Sequence, residues 1–320
     1  MAKDYLLFIH GVNTRDKLEK PSYADKLFQL IQESADSSLQ LEKIPLYWGD
    51  INEDAQERLR NTFKQSTAWN ELWFQDFRAN QLLQFAGDAA LYLSRTIGSE
   101  VVQRIKEQAK EGLKGYDPNK DRLHLITHSW GTVILFDILF AKRWNYPNVP
   151  AHQDVMDIRN TLFGLSPSPY TGIELASIHT MGSPIALFSL LHVDGSTHNF
   201  QQLFEELLQN LYNIRNRQLP WLNFLHPGDP VAWPLEKLLF DSLNGETKYL
   251  DLADIVIQRE DFSDFLFKMV SQKILALVHG GDAHGSYWSS KQVADTIAQT
   301  IKNEARQAKI QVSNRELISG

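Results

Sequence analysis

The sequence contains no cysteine among its 320 residues. Disulfide bonds, thiolate metal sites and a cysteine nucleophile are therefore excluded. It also lacks an apolar run of roughly 18 residues, the length that a membrane-spanning helix needs. The apolar stretch near the start, Tyr5–Ile9, ends in polar residues and is too short for a signal-peptide core. We therefore expect a soluble cytoplasmic protein.

An excess of positive charge is missing as well. The formal net charge is −7 at pH 7, which gives no electrostatic attraction to a phosphate backbone, so a nucleic-acid partner is not expected. The apolar fraction of 43% and the charged fraction of 22% are typical of a globular chain with a sizeable core. Because no repeat, low-complexity tract or flexible linker divides the chain, residues 1–320 are predicted to form a single domain.

Strand and helix patterns alternate along the whole chain. Short apolar runs such as Tyr5–Ile9 and Leu123–Thr127 indicate buried strands, and stretches with helical spacing separate them. This alternation predicts an α/β fold with a mainly parallel central sheet flanked by helices. Residues 52–113 are longer than one crossover helix requires and are predicted to be a helical insertion. The stretch from Pro147 to Gly172 is expected to be rich in loops.

A serine follows one of the predicted strands directly. In LHLITHSWGT, Leu123 to Thr132, the strand runs into His128, Ser129 and Trp130, and an apolar helix follows. Chemistry in an open parallel sheet collects at the carboxyl ends of the strands. A tight turn there lifts the serine hydroxyl above the sheet and directs free N–H groups of the helix at developing negative charge. For this motif alone, an ordinary capped helix start is the alternative.

A candidate acid follows a later strand. In NFLHPGDPVAW, Asp229 lies between Gly228 and Pro230, whose backbone preferences hold it in a turn. A carboxylate in that position can orient an imidazole and stabilise its protonated form. Asp194 in HVDGS is the alternative acid. The alternative role of Asp229 is structural: its side chain would cap the turn through hydrogen bonds to the local backbone.

A candidate base lies late in the chain. VHGGDAHGSYW contains His279, which ends a helical apolar run, and His284, which lies in the glycine-containing loop before the last helix. We favour His284 as the general base. A metal site formed by both histidines and Asp282 is the other interpretation, but no matched group of ligands occurs elsewhere in the sequence. Neither a metal nor a cofactor is therefore expected.

The chain order Ser129, Asp229, His284 resembles that of the α/β-hydrolase superfamily, and of its lipase- and esterase-like serine hydrolases in particular. THSWG is similar to the nucleophile elbow G-x-S-x-G of that superfamily. It departs from the pattern at Thr127, where a small residue is usual. The resemblance spans nearly the whole chain and implies the α/β-hydrolase fold.

The resemblance also implies an oxyanion hole. LLFIHGVN is similar to the strand of these enzymes that ends in HG and supplies one backbone N–H group of the hole. Two such groups about 3 Å from the oxyanion are needed. Trp130 is expected to supply one and Val12 the other, with Asn13 as the alternative to Val12.

The activity that the resemblance implies is hydrolysis of a carboxylic ester, either a small molecule or a lipid, through a Ser–Asp–His triad and an acyl-enzyme. Two alternatives stay open: an acyltransferase with the same triad, and a degenerate binding protein of the hydrolase fold. Within the insertion, an amphipathic helix packed on its neighbours is the favoured interpretation, and a lipase-like lid over an acyl pocket is the alternative. The aromatic residues concerned are Trp69, Trp73, Phe74 and Phe77.

Overall fold

The computed structural model describes most of the chain and contains one continuous sheet. The described residues are 2–12, 14, 16–51, 53–72, 75, 83, 92, 95–163, 172–188, 197–257 and 283–319. The strands in them are β1 (Lys3–Ile9), β2 (Gln40–Leu46), β3 (Arg122–His128), β4 (Glu174–Met181), β5 (Leu219–Leu225) and β6 (Leu250–Val256). They form one sheet in the order β2-β1-β3-β4-β5-β6. Every neighbouring pair is parallel.

Helices follow or precede nearly every strand. The α-helices within the described residues are α1 (Asp25–Ser34), α2 (Glu53–Lys64), α3 (Arg95–Gly112), α4 (Trp130–Phe140), α5 (His152–Phe163), α6 (Ile185–Phe188), α7 (Thr197–Arg215), α8 (Glu236–Ser242) and α9 (Lys291–Ser319). Short 3-10 turns cover Thr67–Glu71, Lys142–Asn145 and Ser286–Ser289. No helix in the described ranges is long and apolar enough to cross a membrane.

Both faces of the sheet are covered, because alternate strand residues enter two separate cores. Leu7 and Leu125 lie in the core shared with α3, α4, α5 and α7. Leu6 and Ile126 lie in the core shared with α1 and α9. The predicted α/β fold with a parallel sheet flanked by helices is confirmed.

Helix α5 corrects the expectation of loops between Pro147 and Gly172. Its buried face includes Val155 and Phe163, but a buried arginine, Arg159, interrupts the apolar pattern. The Arg159 guanidinium donates to two backbone carbonyls at the end of α4, those of Ile138 and Ala141. A helix stabilised by such distant contacts shows only a weak local signal. Residues 164–171 lie outside the described residues.

The insertion predicted over residues 52–113 is described only in part. Helices α2 and α3 lie at its two ends, and Trp69 stacks on Phe63 with ring centroids 5.8 Å apart. Trp73, Phe74 and Phe77 lie outside the described residues. The helical insertion, the possible lid and the single domain therefore stay predictions.

A fully buried polar network crosses β1, β3 and β4. Arg122 donates two hydrogen bonds to the Asp4 carboxylate, of 2.7 and 2.8 Å, and His124 Nε2 lies 3.1 Å from it. His124 Nδ1 is 2.7 Å from Ser177 Oγ, which is 2.8 Å from His179 Nε2. Burial raises the pKa of Asp4, but hydrogen bonds and charge from His124 and Arg122 outweigh it, so this pKa lies below its usual value.

Asp4→Asn is expected to lower the free energy of unfolding by about 3–5 kcal/mol, because it leaves the buried Arg122 charge without its partner. The lowered pKa means that the Asp4 contribution is present at neutral pH and is lost as the pH falls through that pKa. Urea denaturation at pH 7 measures the change. The control is Asp295→Asn, which breaks the exposed pair with Lys291 and should have a much smaller effect. An equal effect of the two substitutions would contradict the account.

Candidate active site

Ser129 occupies the turn between β3 and α4 in a strained backbone conformation. Its φ is 54° and its ψ −127°, a combination that costs a residue with a side chain of the order of 1–3 kcal/mol. The Ser129 amide donates to the carbonyl of Met181 at 2.9 Å. The Thr132 hydroxyl donates to the Ser129 carbonyl at 2.7 Å. The turn is thus held from both sides by bonds to β4 and α4.

The unusual residue of the turn, Thr127, is accommodated within the sheet. It is fully buried, and its hydroxyl lies 3.4 Å from the carbonyl oxygen of His179 on β4. The β-branched side chain therefore faces the neighbouring strand and leaves the serine turn intact.

The Ser129 hydroxyl is enclosed by the loop that follows β1. Ser129 is 1% exposed, and its Oγ has no hydrogen-bond partner among the described residues. A Cβ atom at Gly11 would lie 2.4 Å from Ser129 Cβ and 2.9 Å from Oγ, so only glycine permits this approach. Val12 follows Gly11 in the loop, and Trp130 is the first residue of α4. Asn13 lies outside the described residues.

His10 holds this loop in place. Its Nε2 accepts a hydrogen bond from the Trp48 amide at 3.2 Å, so Nδ1 carries the proton and donates to the Gly11 carbonyl at 2.6 Å. The Trp48 indole stacks on the imidazole, with ring centroids 5.2 Å apart, and donates to the His10 carbonyl at 3.1 Å. Sequence analysis missed the role of Trp48, which lies just beyond β2.

Asp229 and His284 form a hydrogen-bonded pair beyond the carboxyl end of β5. His284 Nδ1 lies 2.8 Å from Asp229 Oδ2, the Tyr287 hydroxyl donates to the same oxygen at 2.8 Å, and the Val231 amide donates to Oδ1 at 2.9 Å. Burial raises the pKa of Asp229, but the hydrogen bonds, first of all from His284, lower it below its usual value. The carboxylate is therefore ionised at neutral pH.

The ionised Asp229 determines which nitrogen of His284 carries the proton. Nδ1 must donate to the carboxylate, so Nε2 of the neutral ring is the acceptor. His284 Nε2 is buried and has no hydrogen-bond partner among the described residues. The pair thus presents a base with a vacant lone pair.

Tyr287 supports the carboxylate, and sequence analysis missed it. Its hydroxyl accepts a hydrogen bond from the His226 amide at 2.8 Å while donating to Asp229. Burial, followed by the nearby Asp229 charge, raises the pKa of Tyr287. The available signal was its position three residues after His284, in HGSYW.

Gly182, in the segment HTMGSP, packs directly against the Asp229–His284 pair. Its φ is +57°, and a Cβ atom there would lie 2.8 Å from Asp229 Oδ2 and 3.1 Å from His284 Cε1. Sequence analysis assigned no chemistry to this segment, yet the absence of a side chain at residue 182 makes room for the pair.

Gly182→Ala is expected to lower both the thermal midpoint and the turnover of the ester hydrolysis that the sequence predicts, because it adds a clash with the pair to the cost of a left-handed backbone. Gly245→Ala is a matched control: its φ is +78° and no atom lies within 4 Å of the added Cβ. We expect the control to cost about 1 kcal/mol of stability and leave turnover unchanged. Melting curves and initial rates measure both effects. Equal turnover in the two variants would contradict this assignment.

The structure places Ser129, Asp229 and His284 at one edge of the sheet. Ser129 follows β3 and Asp229 follows β5, and the strands are parallel. The two are linked through β4, since Met181 accepts from the Ser129 amide and the next residue, Gly182, contacts Asp229 and His284. No hydrogen bond joins Ser129 Oγ to His284 Nε2 in this structure.

Asp194, His279 and Asp282 all lie outside the described residues. Within the described ranges, no group of three or more histidine and carboxylate side chains could hold a metal ion.

A second Ser–His–Asp constellation occurs in the buried network. Ser177, His124 and Asp4 are joined by hydrogen bonds, but all three are 0% exposed within the sheet. Asp4 is also paired with Arg122. Because a substrate cannot reach Ser177 without disruption of the core, this constellation is structural.

Comparison with known proteins identifies no matching family model and no matching curated protein. Among solved structures, the chain is similar to a dienelactone hydrolase from Anabaena variabilis, with a TM-score of 0.38 and 12% sequence identity. The match covers 94% of this chain and 87% of that chain. A similarity at this level establishes neither a family nor an activity.

Proposed function

We propose that this protein is a serine hydrolase of the esterase or lipase type, with Ser129 as nucleophile, His284 as general base and Asp229 as the orienting acid. One observation carries the proposal. A strained serine turn lies at the same sheet edge as an imidazole–carboxylate pair, and neither the buried Ser129 hydroxyl nor His284 Nε2 has a hydrogen-bond partner among the residues that the structure describes. A buried donor or acceptor without a hydrogen-bond partner costs free energy. Proton transfer from the Ser129 hydroxyl to His284 Nε2 is a function that accounts for this cost.

The mechanism follows from the hydrogen-bond roles. His284 Nε2 accepts the Ser129 proton as Oγ forms a bond to the ester carbonyl carbon, and Asp229 stabilises the resulting imidazolium. The amides of Val12 and Trp130 stabilise the tetrahedral oxyanion. The intermediate expels the alcohol, which takes the proton from His284. Water then attacks the acyl carbon while His284 takes its proton, the bond between Ser129 Oγ and that carbon breaks, and His284 returns the proton to Oγ as the acid leaves.

The proposed substrate is a small-molecule or lipid acyl ester, and these steps use no cofactor. Two further statements remain predictions: that residues 52–113 include a lid, and that the protein is cytoplasmic.

Labelling with a fluorophosphonate tests the proposal, since this reagent attaches to a serine that a neighbouring base activates. We expect mass spectrometry to find the label on Ser129 in the wild-type protein and no label in Ser129→Ala. A folded protein that takes no label would instead support a degenerate binding protein. Product analysis with added alcohol or thiol acceptors distinguishes hydrolysis from acyl transfer.

A further inference from the structure

A direct hydrogen bond joins the residue before the serine to the backbone of the candidate base. His128 is the last residue of β3 and is buried. Its Nε2 lies 2.6 Å from the carbonyl oxygen of His284, which is 156 positions later in the chain. Since a carbonyl oxygen can only accept, Nε2 of His128 carries a proton and donates it to this bond.

His128 is uncharged at neutral pH. Burial, followed by the proximity of His284, lowers the pKa of His128 to about 3. The two rings lie 4.6 Å apart between centroids. When His284 becomes an imidazolium during turnover, a second cation at that distance would oppose the change. A neutral imidazole supplies the donor without that repulsion.

The same side chain contacts two aromatic residues of the turn that follows His284. Its ring lies 5.7 Å from that of Tyr287 and 5.4 Å from that of Trp288, between centroids. Tyr287 in turn donates to Asp229. His128 therefore contacts three residues of the 283–289 segment, namely His284, Tyr287 and Trp288. It is also the residue directly before Ser129.

We propose that His128 is a positioning residue that holds His284 at the correct distance from Ser129. The inference rests on the proposed hydrolase function and deepens it. His128 does not reach the substrate in this account: it acts through the His284 backbone, so that the base and the nucleophile are linked across a single residue. Displacements of about 1 Å within a catalytic group can cost about 10²-fold in rate.

Two substitutions distinguish the effect of the His128 hydrogen bond from the effect of the size of its ring. His128→Phe keeps a flat ring but removes the donor, whereas His128→Gln retains an N–H donor. For an activated ester, we expect kcat to fall about 10²-fold in the Phe variant. KM should remain close to the wild-type value, and the Gln variant should recover a large part of the lost kcat. The rate of fluorophosphonate labelling should follow the same order.

His152 offers a matched control, because its Nδ1 is also bonded to a backbone carbonyl, that of Trp144, at 2.5 Å and outside the candidate site. His152→Phe and His152→Gln should leave kcat unchanged. The inference is overturned if His128→Phe keeps wild-type kcat, or if His128→Phe and His128→Gln lose kcat equally. Should the Phe variant not fold, His128→Met provides the donor-free comparison. Wild-type turnover in Ser129→Ala would refute the proposed function itself, and this inference with it.

Discussion

Ser129→Ala is expected to lower kcat/KM for an activated ester by at least about 10⁴-fold. The substitution removes the proposed nucleophile, while any oxyanion hole formed by the backbone amides remains and leaves a small residual rate. Hydrolysis of p-nitrophenyl esters at neutral pH, over a panel of acyl chain lengths, measures the loss.

Folding should not explain this loss. The Ser129 hydroxyl is buried without a partner among the described residues, so its removal relieves an unsatisfied group, and the thermal midpoint should be unchanged or higher. Ser99→Ala is the control, because this buried serine donates to the Pro150 carbonyl at 2.8 Å, outside the site. It should lower stability and leave turnover intact. Retention of more than about a tenth of wild-type turnover in Ser129→Ala would contradict the mechanism.

Asp229→Asn is expected to have the second largest effect, a loss in kcat of about 10⁴-fold. The asparagine amide would donate to His284 Nδ1, so the proton of the neutral ring would move to Nε2. A ring protonated at Nε2 cannot accept the Ser129 proton. The geometry of the site is retained because asparagine has nearly the size of aspartate.

Asp254→Asn is the matched control for this substitution. The Asp254 carboxylate accepts hydrogen bonds from the Leu235 and Glu236 amides and from Asn223, so it also stabilises a segment beyond β5. Its substitution should lower the thermal midpoint without a change in kcat. A loss smaller than about tenfold in Asp229→Asn, in a folded protein, would show that Asp229 does not orient the base.

Local patterns were sufficient for most of the fold. The apolar residues of β3, Leu123, Leu125 and Ile126, and the polar turn at Ser129 lie in one ten-residue stretch, and the apolar helix α4 begins within it and continues beyond it. Helix α5 was missed because its stability depends on contacts of Arg159 with α4. Such contacts leave no periodic trace in the sequence.

The partners of the candidate site residues were less accessible to sequence analysis. The chain order pointed to Asp229 and His284, which lie within hydrogen-bond distance of each other in the structure. Gly182, Tyr287 and the His10–Trp48 pair were missed, because their importance depends on which side chains meet across strands far apart in the chain. In the sequence alone, Gly182 cannot be distinguished from an ordinary turn glycine, because no local pattern shows that Asp229 packs against it.

The most direct test is a crystal structure of the protein after reaction with a fluorophosphonate. The account predicts a covalent bond from phosphorus to Ser129 Oγ and a phosphoryl oxygen about 3 Å from the amides of Val12 and Trp130. His284 Nε2 should lie within hydrogen-bond distance of the adduct. A label on another residue, or an adduct on Ser129 with the His284 ring remote from it, would contradict the account.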